Sequence, residues 1–233
     1  MDMLSGEEIA AADLADWRKL AQGLHARYRI DGFGAGARFL VAVGDAGDAL
    51  GHHPSVALGD GHVDLKLLSD DAIYRDDAGS EHVVQWVTQK DLDLARRISE
   101  IAAEQGLTAD PAAVTAIELG LDTADSAAIA PVWAALLTGD PAARGLGSPS
   151  DEIRDPTGRV PNLWFGDGAE RNQERFHIEV YVPPEVGPQR IAAALAAGGT
   201  VVDDSKAPWL TVIADREGNR GVVCVDPSAV KQG

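Results

Sequence analysis

Residues 48–54 read DALGHHP, and this stretch decides how the first half of the chain folds. It places two adjacent imidazoles, His52 and His53, directly before Pro54. Proline fixes its own φ and favours an extended backbone at the residue before it, so the pair lies at a break between two elements. Imidazole is the side chain best suited to exchanging protons near neutral pH. The stretch therefore predicts a rigid corner that carries acid–base chemistry.

The segments on either side of this corner have different periodicities. Upstream, apolar residues recur at helical spacing and stop at Gly51, whereas downstream they alternate with polar residues over 63–68, so we predict a helix and then a strand. The polar stretch 69–80 predicts a hairpin tip, followed by a returning strand over 82–87. Thr88 then opens a helix whose apolar stripe would pack on this sheet. The apolar positions are Phe39, Val43, Ala46 and Leu50 in the first helix, and Leu94, Ile98 and Ile101 in the second.

The composition limits the kind of partner. The chain has 233 residues, with 20 basic against 37 acidic ones and a net charge of -17. This negative charge opposes binding to phosphate backbones and anionic lipid surfaces, so we expect neither a nucleic acid nor a membrane partner. The single cysteine, Cys224, excludes an internal disulfide and fits a reducing compartment. Since the N-terminus lacks a signal-peptide pattern, we expect a cytoplasmic protein.

A domain boundary is predicted in 104–111, where the helical pattern ends and glycine and proline occur. It separates a first domain, 1–107, from a second domain, 112–233. The second domain contains a weak repeat, because the strand-like segments 117–121 and 176–180 are each followed by a helix candidate. Two βαβββ units in one curved sheet would account for this. The helix candidates are 126–137 and 188–197, and further short strands are predicted at 163–165, 210–214 and 222–225.

Residues on both sides of the corner suggest a family. Asp48 stands four residues before His52, and Thr88 stands three residues before Asp91, which begins a helix. Over about residues 5–105, this arrangement resembles the pterin-4a-carbinolamine dehydratase family. The family pattern is an acidic residue, His-His-Pro, a strand, a third histidine, and then Thr or Ser three residues before an Asp.

The position of the third histidine can be counted in two ways. Counting forward from the corner reaches Asp70, whereas counting back from Asp91 reaches His82, with an insertion of about a dozen residues accounting for the difference. We favour His82, because it is an imidazole at the family's spacing from Thr88 and Asp91.

The resemblance implies a lyase that eliminates water from 4a-hydroxytetrahydropterin, a tetrahydrobiopterin-type substrate, to give a quinonoid dihydropterin. One group protonates the departing hydroxyl and another accepts a ring-nitrogen proton, and imidazoles can do both near pH 7. We expect His53 to be the principal acid or base, with His52 and His82 binding the hydroxyl and sharing protons. Asp48 would orient one ring, and Asp91 would support the site while capping its helix. Such a site requires no cofactor.

The second half carries its own resemblance. Residues 215–219, DREGN, are close to a turn that is frequent in the vicinal oxygen chelate superfamily of glyoxalases and bleomycin-resistance proteins, which residues 112–226 resemble. Metal-dependent members take ligands from the first and last strands of each repeat. Glu118 and His177 occupy the first-strand places, but the last-strand places offer no carboxylate or imidazole. Because a catalytic zinc site needs three protein ligands, we predict no metal and treat this pair as pocket candidates.

The fusion of the two halves resembles a set of bacterial proteins. The combined prediction is an α+β chain: an antiparallel sheet with helices on one face, then paired βαβββ modules. By analogy we expect a homo-oligomer, a dimer or tetramer, acting on a small pterin. One alternative is a non-catalytic protein that binds a pterin-like or drug-like small molecule. Another is a metal-dependent glyoxalase-like lyase or dioxygenase with its metal at Glu118 and His177.

Overall fold

The computed structural model divides the chain into two compact units. The first unit is Met1–Val114, and the second begins at Thr115. No helix in the described part of the chain is both long and apolar enough to cross a membrane. The structure describes residues 1–144, 152–155, 158, 160–167 and 176–226.

The first unit is built on an antiparallel sheet and three helices. Its elements are α1 (Gly6–Ala11), β1 (Arg18–Leu20), β2 (Gly23–Arg29), α2 (Phe33–Leu50), β3 (Ser55–Gly59), β4 (His62–Leu67), β5 (Ser69–Arg75), β6 (Glu81–Trp86), α3 (Gln89–Glu104), β7 (Thr108–Ala109) and a 3₁₀ turn (Pro111–Ala113). The strand order is β1-β2-β4-β3, and β7 also pairs with β2. Because β7 belongs to this sheet, the first unit continues beyond residue 107 to Val114.

The core of the first unit lies between one face of this sheet and the helices α2 and α3. Alternation along β2 and β4 turns every second side chain toward the helices, as period-two geometry requires. The apolar stripes of α2 and α3 cover the same face. The buried residues include Ala26, Tyr28, Val63 and Leu65 from the strands, with Phe39, Val43, Leu94 and Ile98 from the helices. The prediction of an antiparallel sheet with helices on one face is confirmed.

The polar stretch after β4 differs from its prediction. Most of 69–80 is strand and not hairpin tip, because β5 starts at Ser69 and pairs with β6 as a two-stranded sheet. The chain start lies beside it, since the Ile73 amide donates to the Met1 carbonyl and the Met3 amide donates to the Ile73 carbonyl. This extra pairing, with Ala72 fully buried, holds a polar sequence in strand conformation.

The second unit contains a six-stranded sheet. Its elements are β8 (Ala116–Thr123), α4 (Ser126–Thr138), β9 (Leu163–Asp167), β10 (Phe176–Val182), α5 (Gly187–Ala196), β11 (Thr200–Lys206), β12 (Leu210–Ala214) and β13 (Arg220–Val225). The order is β11-β12-β13-β10-β8-β9. The pairs β8–β9 and β10–β13 are parallel, and β8 and β10 join antiparallel at the centre. Paired modules related in this way are the glyoxalase-like arrangement predicted from the repeat.

Candidate functional site

The two adjacent histidines lie between α2 and β3. Helix α2 ends at Leu50 and is capped by Gly51, whose φ of 63° is left-handed, and the His52 amide donates to the Gly47 carbonyl at 3.1 Å. The chain then enters β3 directly after Pro54. The sequence predicts a helix-to-strand corner here, but the strand that follows Pro54 is β3, and the predicted strand over 63–68 corresponds to β4. The corner lets the two rings face different neighbours.

His52 faces the start of α3. Its Nε2 lies 2.7 Å from Asp91 Oδ1, and 13% of its side chain is exposed whereas that of Asp91 is fully buried. The pair joins residues that are 39 apart in sequence. Because a short contact between a buried carboxylate and an imidazole fixes the ring plane, His52 has a defined orientation.

The other oxygen of Asp91 is also occupied. Asp91 Oδ2 accepts from the Thr88 amide at 2.8 Å, from the Ser69 hydroxyl at 2.8 Å and from the Thr88 hydroxyl at 3.1 Å. Ser69 Oγ and Thr88 Oγ1 are themselves 2.8 Å apart. All three residues are buried, with 2% or less exposed. Asp91 therefore caps α3 and contacts His52 at the same time.

His53 has a different setting at the end of α2. Its Nε2 lies 2.9 Å from Asp48 Oδ1, and 54% of its side chain is exposed. Its ring packs over Gly47, where an added Cβ would lie 2.5 Å from His53 Cδ2 and 2.9 Å from the His52 carbonyl oxygen. Glycine at 47 is therefore needed for this ring position. Of the two imidazoles, His53 is the one open to solvent.

The third candidate histidine lies on the β5–β6 hairpin. His82 pairs with Tyr74, stacks on its ring at 6.0 Å and has its Nε2 3.0 Å from Asp76 Oδ2. It is four residues from Trp86, which pairs with Ser69 at the hairpin base. Since a strand rises about 3.3 Å per residue, His82 is about 13 Å along β6 from that base. The described ring-nitrogen contacts of His52 and His53 do not include it.

Asp70, the other candidate, stands at the hairpin base. It follows Ser69 directly, and its Oδ1 accepts from Gln85 Nε2 at 2.6 Å. The pairing shifts register between Ser69 and Ala72, which is a β-bulge. Bulges re-aim side chains and are common beside active sites. Asp70 is thus the residue adjacent to the Ser69–Asp91–His52 contacts.

The pocket candidates of the second unit share one face of its sheet. Glu118 on β8 is directly opposite Glu179 on β10, and both are buried, with 4% and 8% exposed. Glu179 Oε2 accepts from Tyr181 Oη at 2.7 Å and from Trp164 Nε1 at 3.2 Å. His177 Nε2 is 3.9 Å from Glu179 Oε1, and its ring meets the Trp164 ring edge-to-face at 5.3 Å.

The buried carboxylates raise the pKa of two neighbouring side chains, Tyr181 and Cys224. Burial is the largest cause that raises the pKa of the Tyr181 hydroxyl far above its usual range, and the charges of Glu118 and Glu179 raise it further. Burial and the same two charges raise the pKa of the Cys224 thiol. This face is therefore negative, and it keeps both groups protonated.

No three His, Cys, Asp or Glu side chains form a metal-ligand group within the described ranges. Glu118 and His177 lie on neighbouring strands, but His177 is opposite Gly120 and not opposite Glu118.

Several residues of both sites were not expected from the sequence. Ser69 joins the Asp91 contacts through tertiary pairing, and no local pattern could reveal it. Gly47 did carry a signal, because glycine inside a helix costs about 1 kcal/mol relative to alanine and needs a packing reason. The sequence also contains a signal for Glu179 and Tyr181, because they alternate with His177 along one strand and so share its face.

These features define the first unit as an α+β domain with histidine–carboxylate pairs at one corner. Comparison with known families gives two matches in one chain. The pterin 4 alpha carbinolamine dehydratase family matches residues 2–101, and the glyoxalase-like domain family matches residues 118–224.

Individual relatives match the first unit. A Nocardia farcinica protein named "Putative pterin-4-alpha-carbinolamine dehydratase" is 30% identical over 103 residues, which cover 43% of this chain and 96% of that protein. A Streptomyces coelicolor protein with the same name is 33% identical over 105 residues, covering 44% and 93%. A crystal structure titled transcriptional coactivator/pterin dehydratase, from Brucella melitensis, covers 43% of this chain and 99% of its own, with 21% identity and a TM-score of 0.35. The chain belongs to the pterin-4a-carbinolamine dehydratase family through its first domain and carries a glyoxalase-like domain in its second half.

Proposed function

We propose that the first domain is a hydro-lyase that dehydrates 4a-hydroxytetrahydropterin to quinonoid dihydropterin. The observation that carries this proposal is the corner itself, where two adjacent imidazoles each have Nε2 bonded to a carboxylate. In the reaction the bond between the carbinolamine carbon and its oxygen breaks. The hydroxyl leaves as water after protonation, and a ring nitrogen loses its proton to a base. Oriented imidazoles can serve as both acid and base.

The two histidines have different proposed roles. His53 is the more exposed ring, so we assign it the proton transfer to or from the substrate. Asp48 orients that ring. His52, which is mostly buried and held by Asp91, binds the departing hydroxyl in a fixed position. No step of this scheme uses a metal or an organic cofactor, and we expect turnover to survive exhaustive chelation.

For the third polar group we propose Asp70 and not His82. Asp70 adjoins Ser69, whose hydroxyl binds the same carboxylate as His52, and a bulge lies between Ser69 and Ala72. His82, by contrast, is bonded to Asp76 farther along the hairpin. A carboxylate in this position accepts a hydrogen bond from the substrate's ring N–H groups.

Decay of freshly generated carbinolamine, followed with and without the protein, tests this function. The wild type should accelerate the decay, and His53→Ala should lose most of that acceleration, on the order of the 100-fold to 10,000-fold typical of one acid–base group. Asp70→Asn should lose activity as well, whereas His82→Gln should not. Asp71→Asn is the matched control, because Asp71 is also an exposed carboxylate of β5 and lies 3.6 Å from Lys90 Nζ. Equal rates for the wild type and His53→Ala would favour a protein that binds a small molecule without converting it.

The expected assembly belongs to the same proposal. A homodimer or tetramer acting on a small pterin remains our expectation, and light scattering combined with size-exclusion chromatography measures it directly. A monomeric, active enzyme would reject this part alone.

A further inference from the structure

The hydrogen-bond directions around Asp91 determine which ring nitrogen of neutral His52 carries the proton. Three donor groups lie within hydrogen-bond distance of Asp91 Oδ2, and the Thr88 amide among them can only donate. Three donors on one oxygen stabilise the ionised form of the carboxylate, in which both oxygens can only accept. The remaining oxygen, Oδ1, then faces His52 Nε2 at 2.7 Å and requires a proton on that nitrogen.

We infer that Ser69 and Thr88 lock Asp91 so that neutral His52 carries its proton on Nε2 and offers Nδ1 as a hydrogen-bond and proton acceptor. Ser69 and Thr88 are positioning residues in this arrangement, since they act on His52 only through Asp91. The role of Nδ1 toward substrate rests on the proposed function, but the tautomer itself does not.

The substitution Asp91→Asn gives the sharpest test. In the variant, one oxygen becomes an amide N–H₂ group that can only donate. The Thr88 amide cannot reverse its role, so the Asn oxygen must stay on the side of Ser69 and Thr88. The amide N–H₂ then faces His52 Nε2, which must accept, and the ring proton moves to Nδ1. We therefore expect this substitution to invert the His52 tautomer while the capping contact of α3 is kept.

The measurement is long-range ¹H–¹⁵N correlation of the imidazoles in the full chain, titrated until the rings are neutral. The chain has six histidines, so His52→Gln identifies the His52 signals by their loss. The wild type should show the Nε2–H form at His52, and Asp91→Asn should show the Nδ1–H form. A wild type in the Nδ1–H form, or an Asp91→Asn variant that stays in the Nε2–H form, would overturn the inference.

Ser69 is tested with a conservative rescue. Ser69→Ala removes one donor from Oδ2 and should broaden or mix the His52 tautomer signals, whereas Ser69→Thr keeps the hydroxyl and should restore them. Ser99→Ala is the matched control, because Ser99 also bonds internally, to Trp17 Nε1 and Tyr28 Oη, without touching Asp91. It should lower stability and leave the His52 signals unchanged. A Ser69→Ala spectrum identical to the wild type would remove Ser69 from the arrangement.

Kinetics separate this inference from the proposed function. If the tautomers are as expected and the wild type accelerates the decay, Asp91→Asn should lower kcat and change its pH profile more than it changes KM. If the tautomers are as expected but the wild type shows no acceleration, the dehydratase proposal fails while the assignment of the His52 proton stands.

Discussion

Each unit of this protein holds an imidazole beside a buried carboxylate, and the two pairs differ in how the carboxylate is held. In the first unit, Asp91 binds its capping donors through one oxygen and reaches His52 at 2.7 Å through the other. In the second unit, Glu179 binds Tyr181 and Trp164, and His177 stands 3.9 Å away, beyond hydrogen-bond distance. In the first pair the oxygen that the capping donors leave open reaches the imidazole, whereas in the second pair the oxygen that Tyr181 and Trp164 leave open stops short of it. Substitutions in each pair test this difference.

The largest effect is expected for Asp91→Ala. This change leaves the Thr88 amide and the Ser69 hydroxyl without their acceptor in a fully buried place. Losing the helix cap and stranding buried donors should lower the free energy of unfolding of the first unit by about 3 kcal/mol or more. Urea denaturation followed by circular dichroism measures the loss. A change below about 1 kcal/mol would mean that solvent replaces these contacts freely.

The next effect concerns His25, an imidazole on β2. Burial first, and then the charges of Lys66 and Lys19, lower the pKa of His25 to about 3. Its Nε2 has no hydrogen-bond partner among the described residues. The unfolded chain takes up a proton below about pH 6.5 while the folded chain does not, so stability is lost as pH falls from 6.5 toward 3.

Between neutral pH and pH 5, protonation of His25 in the unfolded chain should lower the free energy of unfolding by about 2 kcal/mol. His25→Gln removes the titration, so the stability difference between wild type and variant should change by that amount over the same range. Hydrogen exchange of the β2 amides measures it locally. A difference that does not depend on pH would show that His25 is protonated as readily in the folded chain as in the unfolded one.

A smaller effect, with opposite signs at two glycines, is expected within α2. Gly47→Ala places a methyl group against the His53 ring and the His52 carbonyl and should cost about 1–2 kcal/mol, as overpacking does. Gly44→Ala is the matched control, since nothing lies within 4 Å of its added Cβ. The better helix propensity of alanine should raise the free energy of unfolding of Gly44→Ala by up to about 1 kcal/mol.

In thermal unfolding, Gly47→Ala should have a lower melting temperature than the wild type and Gly44→Ala a higher one. The carbinolamine assay should show lost turnover for Gly47→Ala alone. Two stabilised variants would mean that the His53 ring moves aside without cost.

The smallest effect is expected for Glu179→Gln. The amide oxygen can still accept from Tyr181 and Trp164, and the change removes one of two negative charges that face each other across β8 and β10. Like charges directly opposite each other are destabilising, so stability should stay level or rise by up to about 1 kcal/mol. The His177 tautomer should not change, in contrast to His52 in Asp91→Asn. An inverted His177 signal would make the two pairs equivalent and remove the distinction drawn between them.

Local patterns predicted much of this molecule, because they depend on neighbours in sequence. The helix end at Gly51, the cap formed by Thr88 and the buried stripe of α3 are determined within a few residues. Short strands such as β1, β3 and β11 were missed, because their pairing depends on partners elsewhere in the sheet. The Ser69 contact was missed for the same physical reason, since only the register of β5 against β6 brings it to Asp91.

The contacts of the candidate site also differ in how far apart their residues lie in the sequence, and this decides which of them a local pattern can predict. Asp48 was predicted to orient one ring, and its pairing with His53 spans only five residues, whereas the pairing of His52 with Asp91 spans 39 residues and was not predicted. The place of the third polar group could not be resolved by counting, because an insertion of unknown position shifts the count. The structure places Asp70 and His82 on the two strands of one hairpin, β5 and β6, and the choice between them stays a prediction.

Cys224 gives the second unit a built-in reporter. It is the only thiol in the chain, it lies 2% exposed in β13, and its raised pKa keeps it unreactive while the strand is closed. A thiol-reactive dye can therefore label only molecules in which the centre of this sheet has opened. The labelling rate measures that opening without any engineered residue, and a compound that settles on the face of Glu118 and Glu179 should slow it.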